Sequence, residues 1–219
     1  MIYGINPNSL IDYPGELSFV VFTGGCNFNC PYCHNKDIVN KNTSTYSNDE
    51  ILSMLDDRKK LIDSVTITGG EPTIYGYKLI DFIKKIKDLG YKVKLDTNGS
   101  NPALIKKIID NNLIDFIAMD IKNTFTKYYN TIDKSIALDN IKNSIKIIQN
   151  SNINYEFRTT VNKTMHSKED ILEIMSYIKD KSKFKLQPYK NTKQQIKDFH
   201  FSEWSVEELD NIIEPKVSV

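Results

Sequence analysis

The chain has 219 residues, of which 40% are hydrophobic and 26% are charged, and its formal net charge is +1. These values are typical of one globular domain, here residues 1–219, and the near-zero charge gives no reason to expect a nucleic acid as partner. No apolar run approaches the roughly 18 residues that a membrane helix needs, and the amino terminus lacks a signal-peptide pattern, so we expect a cytoplasmic protein that does not bind membranes.

Apolar runs alternate with helical patterns along the chain. Strands are predicted over residues 17–23, 65–68, 92–95, 115–119, 155–161 and 184–186, and helices over 47–55, 77–89, 102–110, 136–149, 168–180 and 205–213. Because strands alternate with helices, the pattern predicts right-handed βαβ crossovers and a parallel sheet. Six such units are too few for a closed eightfold barrel, so we expect an α/β fold with a partial (β/α)6 barrel. Residues 123–135 are the least regular and are predicted to form a loop at the barrel mouth.

All three cysteines, Cys26, Cys30 and Cys33, lie within eight consecutive residues. Gly24-Gly25 and Pro31 favour an irregular loop, in which three thiolates could converge on one metal centre. A structural zinc site requires four protein ligands and a disulfide leaves one thiol over, so both are minor alternatives. A [4Fe–4S] cluster normally takes four cysteines, and three would leave one iron open for a small ligand.

The spacing Cys-x3-Cys-x-aromatic-Cys resembles the cluster loop of the radical S-adenosylmethionine (SAM) superfamily, here residues 24–35. The resemblance implies that the three cysteines bind three irons of a [4Fe–4S] cluster and that SAM chelates the fourth. It also implies a partial (β/α)6 barrel, followed here by a C-terminal tail and helix over 191–219. Two motifs resemble the glycyl-radical-enzyme activases, especially those of anaerobic ribonucleoside-triphosphate reductases: Cys33-His34-Asn35 and Asp12-Tyr13-Pro14-Gly15.

Polar or glycine-rich motifs follow most of the predicted strands. Besides the cysteine loop, they are Gly69-Gly70-Glu71-Pro72, Asp96-Thr97-Asn98-Gly99, Asp120-Ile121-Lys122 and Gln187-Pro188-Tyr189-Lys190. The carboxyl ends of parallel barrel strands share one face, so we expect these motifs to meet at one mouth. Taken alone, the first two would be only turns.

The resemblance also assigns cofactor contacts. Gly69, Gly70 and Glu71 match the motif that binds the SAM amino group, and Tyr32 matches an aromatic residue that packs near adenine. Asp96, Thr97 and Asp120 match residues that coordinate a monovalent cation beside the SAM carboxylate, and Asn98 belongs to the same motif, whose oxygens contact the ribose or the cation. For Tyr32, simple packing within the loop is the alternative.

Three further residues are candidates for a catalytic role. Lys122 is expected to contact SAM or to hold Asp120, although an ordinary surface ion pair is the alternative. Arg158 lies in an apolar strand and is expected either to project into the barrel and pair with a carboxylate or to face solvent. Asp12 is expected near the substrate peptide. His166 and His200 are expected at the surface.

The implied activity is reductive cleavage of SAM, followed by abstraction of a glycine Cα hydrogen from a partner enzyme, which we expect to be an anaerobic ribonucleotide reductase. A flavodoxin or ferredoxin-type protein is the expected electron donor. Action on a small molecule or peptide is one alternative, and a non-catalytic metal-binding module is another. Lys190 stands where better-known relatives have a SAM-contacting histidine, which departs from the pattern. The lysine-rich segment 179–197 is either a solvated face or a dock for an acidic partner.

Overall fold

The computed structural model describes residues 1–40, 44–192 and 195–213. Its strands form one sheet in chain order: β1 (Ile2–Ser9), β2 (Ser18–Thr23), β3 (Ser64–Gly69), β4 (Lys92–Thr97), β5 (Phe116–Asp120), β6 (Asn154–Val161) and β7 (Phe184–Pro188). The helices are α1 (Lys36–Val39), α2 (Asn48–Asp56), α3 (Tyr77–Asp88), α4 (Pro102–Asp110), α5 (Tyr128–Ile132), α6 (Leu138–Gln149), α7 (Lys168–Ser176) and α8 (Val206–Ile213). Among the described residues, no helix is long and apolar enough to cross a bilayer.

The predicted α/β fold is confirmed, because β2 to β7 pair in parallel and helices follow the strands. The sheet contains one strand that the sequence does not predict, β1, which pairs antiparallel with β2. Residues 123–135 are also not entirely a loop, since they contain α5. The predicted tail and helix 191–219 lie partly outside the described residues, at 193–194 and 214–219.

The two faces of the sheet differ in chemistry because side chains alternate along each strand. One face carries apolar residues such as Ile67, Leu95 and Phe157, which belong to the same buried cluster as the apolar side chains of the helices. The other face, towards the barrel interior, is polar. There the buried hydroxyls of Ser18 and Thr66 share a hydrogen bond of 2.9 Å. The apolar core therefore lies between the sheet and the helices, and polar side chains occupy the barrel interior.

The helices begin where the sequence places capping residues. Ser47 and Glu50 form a capping box at α2, and Ser167 with Asp170 forms another at α7. The predicted box at α8 is present as well, since Glu208 N–H donates to Ser205 Oγ and Ser205 N–H to the Glu208 carboxylate.

A segment after β7, which we call the C-terminal strap (residues 189–192 and 195–203), lies against the cysteine loop. Ile196 N–H donates to the Cys33 carbonyl at 3.2 Å, and Lys197 N–H donates to the Pro31 carbonyl at 3.0 Å. The His34 ring stacks on Tyr189 with ring centroids 4.8 Å apart. The strap thus completes one wall of the loop that carries the cysteines.

Glu203 holds the strap closed and makes it sensitive to acid. Its carboxylate accepts the Asn191 backbone N–H at 2.9 Å and the Asn191 side chain, and it pairs with Lys190. These partners, the backbone N–H first, lower the pKa of Glu203 to about 2. Because the pKa of Glu203 is lower in the folded than in the unfolded chain, its ionised carboxylate stabilises the fold. This stabilisation is complete above the unfolded pKa, about 4.3, and is lost as the pH falls towards 2.

We therefore expect the fluorescence of Trp204, which adjoins Glu203, to change between about pH 4.3 and pH 2. The Glu203→Gln variant should lack this transition, and its Trp204 fluorescence at neutral pH should resemble that of the wild type in acid. Glu207→Gln, a nearby exposed change, should titrate like the wild type. A Glu203→Gln variant with an unaltered acid transition would show that another group opens the strap.

Candidate functional site

A cavity of about 220 Å³ lies at the carboxyl ends of the parallel strands. Among the residues that line it are all the predicted metal and cofactor residues: Cys26, Cys30, Tyr32, Cys33, Gly69, Gly70, Glu71, Asp96, Thr97, Asn98, Asp120 and Lys122, together with Arg158. They come from the carboxyl ends of β2, β3, β4 and β5 and, for Arg158, from within β6, and they are far apart in sequence. The structure therefore brings the predicted mouth residues together, as the parallel sheet requires.

The three cysteines are free thiols on one wall of the cavity. The Cys26 sulfur accepts the Phe28 N–H and the Cys33 sulfur accepts the Asn35 N–H, each at 3.4 Å. Such N–H donors stabilise thiolates bound to metal. Burial raises the pKa of Cys26 and Cys30 to about 12, so metal binding would have to release their protons. The donor set fits a cluster that is held by three cysteines.

Two glycines let the turn after β3 lie directly against the cysteine loop. A Cβ on Gly70 would lie 1.8 Å from the Gly25 carbonyl oxygen, and one on Gly69 would lie 2.4 Å from the Thr23 nitrogen. Gly69 also has a φ of +116°, which side chains other than glycine rarely adopt. Glu71 N–H donates to the Gly25 carbonyl at 2.9 Å. The two backbones are thus in contact at this point.

Glu71 is fully buried and links two neighbouring strand ends. One carboxylate oxygen accepts the backbone N–H and hydroxyl of Thr73 and the hydroxyl of Thr97, and the other accepts the Asn98 N–H at 2.6 Å. Burial raises the pKa of this carboxyl group, and this effect outweighs the hydrogen-bond donors, which lower the pKa. Because protein donors engage both oxygens, Glu71 positions the turns after β3 and β4. Its contact with the SAM amino group stays a prediction.

Arg158 is the centre of a network of charges inside the mouth. Its Nε donates to Asp120 Oδ1 at 2.8 Å, and its guanidinium lies 3.3 Å from Asp96 Oδ2 and 3.7 Å from Glu156. Lys122 Nζ donates to the other Asp120 oxygen at 3.0 Å. Burial alone would raise the pKa of Asp120, but Arg158 and Lys122 outweigh it and hold this pKa below its usual range. Both cations therefore project into the site, whereas their catalytic roles stay predictions.

Arg158→Met should destabilise the fold by about 3–5 kcal/mol, because it leaves buried carboxylates without their shared partner. For a chain of this size, that corresponds to a lower Tm by roughly 6–20 °C in thermal unfolding at pH 7. Arg58→Met is the matched control, since the Arg58 guanidinium donates to the exposed Asn8 side chain at 3.5 Å. Equal Tm values for the two variants would contradict a stabilising role for the network.

Tyr32 lies in an aromatic cage and has a free hydroxyl. Its ring contacts Tyr189, Phe201 and His166 at centroid distances of 5.9, 6.3 and 6.3 Å. The buried hydroxyl has no hydrogen-bond partner in the described part of the chain, so it is available to a bound ligand or water. Contact with adenine stays a prediction.

The structure corrects the expected position of His166 and bears on that of Asp12. His166, expected at the surface, is fully buried and its Nε2 lies 2.8 Å from the Lys122 carbonyl, so it supports the backbone of that lysine. Asp12 lies at the opposite edge of the sheet from the cavity. Because β1 runs antiparallel to β2, the connecting turn lies at the amino ends of the parallel strands, where Tyr13 packs on Phe116. The structure therefore places Asp12 away from the cavity, and its position near the substrate peptide stays a prediction.

The remaining histidine and lysine expectations concern the strap. His200 is exposed, as predicted. Lys190 does not line the cavity, because its ammonium pairs with Glu203 at 3.2 Å. It therefore does not replace the SAM-contacting histidine of relatives in this arrangement.

Comparison with known proteins assigns the family. Residues 20–180 match the Radical SAM superfamily. A protein of Methanocaldococcus jannaschii, provisionally named a glycyl-radical enzyme activating enzyme, is 36% identical over 86% of this chain and 80% of its own length. A pyruvate formate-lyase-activating enzyme of Clostridium pasteurianum is 29% identical over 86% of this chain and 81% of its own length.

Solved structures show the same fold. SuiB of Streptococcus suis bound to S-adenosylmethionine superposes with a TM-score of 0.70 at 16% identity, over 88% of this chain and 45% of SuiB. The chain thus spans less than half the length of SuiB. A domain of pyruvate-formate lyase-activating enzyme from Bacteroides vulgatus has a TM-score of 0.56 at 18% identity, over 69% of this chain and 91% of that domain.

A partial parallel barrel with a cysteine-lined mouth defines an iron–sulfur enzyme class. The chain belongs to the radical SAM superfamily. Enzymes of this family use a [4Fe–4S] cluster and SAM, and the three thiols that line the cavity fit the cluster.

Proposed function

We propose that this chain is the activating enzyme of a glycyl-radical enzyme. The observation that carries the proposal is the 36% identity to a relative named for that activity, over 80% of the relative's length. The pyruvate formate-lyase-activating relative supports it at 29% identity. The motifs at 12–15 and 33–35 favour an anaerobic ribonucleoside-triphosphate reductase as the partner. The proposed electron donor is a flavodoxin or ferredoxin-type protein in the cytoplasm.

When bound, the cluster and SAM supply reductive cleavage of SAM and removal of a glycine Cα hydrogen. The chain would contribute ligands and positioning. Cys26, Cys30 and Cys33 would hold the cluster, and the turn at Gly69-Gly70 would present its backbone to SAM. Lys122 and Arg158 fix the carboxylate of Asp120 at the mouth. The aromatic cage around Tyr32 limits access of water from the side of the strap.

The sheet leaves room for a partner. Its two edges are β1 and β7, which do not pair with each other in the described part of the chain. The barrel is therefore open on that side. A glycine-bearing loop of a partner could enter there and reach the cavity at the carboxyl ends of the strands.

The test is anaerobic reconstitution with iron and sulfide, followed by reduction in the presence of SAM and a candidate partner. With an anaerobic ribonucleotide reductase we expect a glycyl-radical EPR doublet on the reductase and formation of 5′-deoxyadenosine. Cys30→Ala should give neither signal. A doublet only on a pyruvate formate-lyase would change the assigned partner. Formation of 5′-deoxyadenosine without a doublet on either enzyme would favour a small molecule or peptide as substrate.

A further inference from the structure

Lys94 is a buried lysine inside the barrel that the proposed function does not use. It lies on β4, only 2% exposed, and its Nζ donates to Asp96 Oδ1 at 2.5 Å. The ring of Phe116 lies 6.0 Å from the ammonium. A lysine so deeply buried requires a fixed anionic partner, and Asp96 provides it.

The surroundings of Asp96 do not suit the monovalent cation that the resemblance implies. Lys94 engages one oxygen of Asp96, and Arg158 lies 3.3 Å from the other. Arg158 and Lys122 engage the two oxygens of Asp120. The Thr97 hydroxyl donates to Glu71 and accepts the Gly99 N–H. A metal ion at these oxygens would have to displace a protein cation that is covalently part of the chain.

We propose that the ammonium of Lys94 supplies the positive charge at Asp96 that a bound Na⁺ or K⁺ would otherwise supply. An ammonium is a compact unit charge with three donors, so it can neutralise a carboxylate as an alkali ion does. SAM binding by this enzyme then requires neither Na⁺ nor K⁺. The inference rests on SAM as the family's cofactor and does not depend on the identity of the partner.

The wild-type enzyme provides the first test. The dissociation constant of SAM is measured by anaerobic calorimetry on the reconstituted protein without any partner, in tetramethylammonium chloride and in KCl or NaCl of equal ionic strength. We expect values within about twofold of each other. A loss of affinity of about tenfold or more in tetramethylammonium would overturn the proposal. Because no partner is present, failure of the activase assignment leaves this result unaffected.

Lys94→Met provides the second test, since it keeps the side-chain length and removes the charge. The variant should bind SAM about tenfold or more weakly in tetramethylammonium and should recover most of this affinity in KCl or NaCl. Lys92→Met is the matched control: it lies on the same face of β4, pairs with Glu16 at the surface, and should bind SAM like the wild type in each salt. Affinity that is unchanged in Lys94→Met, or lost and not restored by either ion, would overturn the proposal. If this variant does not fold, the wild-type comparison still decides.

Discussion

The Cys30→Ala variant is expected to fold and to bind no [4Fe–4S] cluster. Three thiolates hold three of the four irons of such a cluster, and loss of one would leave two irons without a protein ligand, so we expect the cluster to be lost. The course of the loop depends on backbone contacts that alanine preserves, such as Gly25 N–H to Ile38 O and Asn29 N–H to Ile132 O, both at 2.8 Å. Iron content and SAM cleavage should fall to background, while thermal unfolding shows a folded barrel.

Asn29→Ala is the control for this variant. It changes a partly exposed side chain of the same loop that contacts Asp133, and it removes no sulfur. Its iron content should equal that of the wild type after identical reconstitution. Full iron content and SAM turnover in Cys30→Ala would refute the assignment of this cysteine as a ligand.

Gly70→Ala should separate the turn after β3 from the cysteine loop. The new methyl group would lie 1.8 Å from the Gly25 carbonyl oxygen, a backbone atom that cannot rotate away. We expect a loss of unfolding free energy of about 1–3 kcal/mol or more, measured by denaturant unfolding, and strongly weakened SAM binding in calorimetry. Gly4→Ala is the control, because its methyl group would meet only Phe22 Cβ at 4.0 Å. Equal stability of the two variants would contradict the close approach of the backbones.

The clash at Gly70 also limits how far the Gly70→Ala variant can distinguish a SAM-dependent enzyme from a metal-binding module. A non-catalytic metal-binding module would be expected to tolerate Gly70→Ala, because it has no SAM to bind. The clash with Gly25 exists whether or not SAM is present, so a loss of stability supports neither interpretation. Only the affinity for SAM separates them.

The parallel strands were predictable because they are apolar and β-branched and end in glycine or aspartate turns. β1 was not, because Gly4, Asn6 and Pro7 are all depleted in strands. An edge position tolerates them, and edge position is a property of the whole sheet. The direction of this strand then decides where Asp12 lies, which no local motif could reveal.

Most of the residues at the mouth were predictable for a related reason, since they lie at or just after the carboxyl end of a parallel strand. Lys94 was not singled out and His166 was expected at the surface, because the burial of both residues results from contacts with residues far along the chain. Lys94 meets Arg158 through the shared Asp96, and His166 meets the Lys122 carbonyl. The charged residues Lys92, Lys94 and Asp96 at every second position of β4 were the available signal, because residues two apart share one face of a strand.

The strap has a consequence for biosynthesis. His34 and Lys190, which meet in the folded protein, are 156 residues apart in sequence. At about 5–20 residues per second, a ribosome needs roughly 8–30 s to add the intervening chain. During that interval the nascent cysteines lack the wall that the strap provides. Insertion of the cluster into its finished site is therefore a step that follows synthesis of the strap, and the thiols must be kept reduced until then.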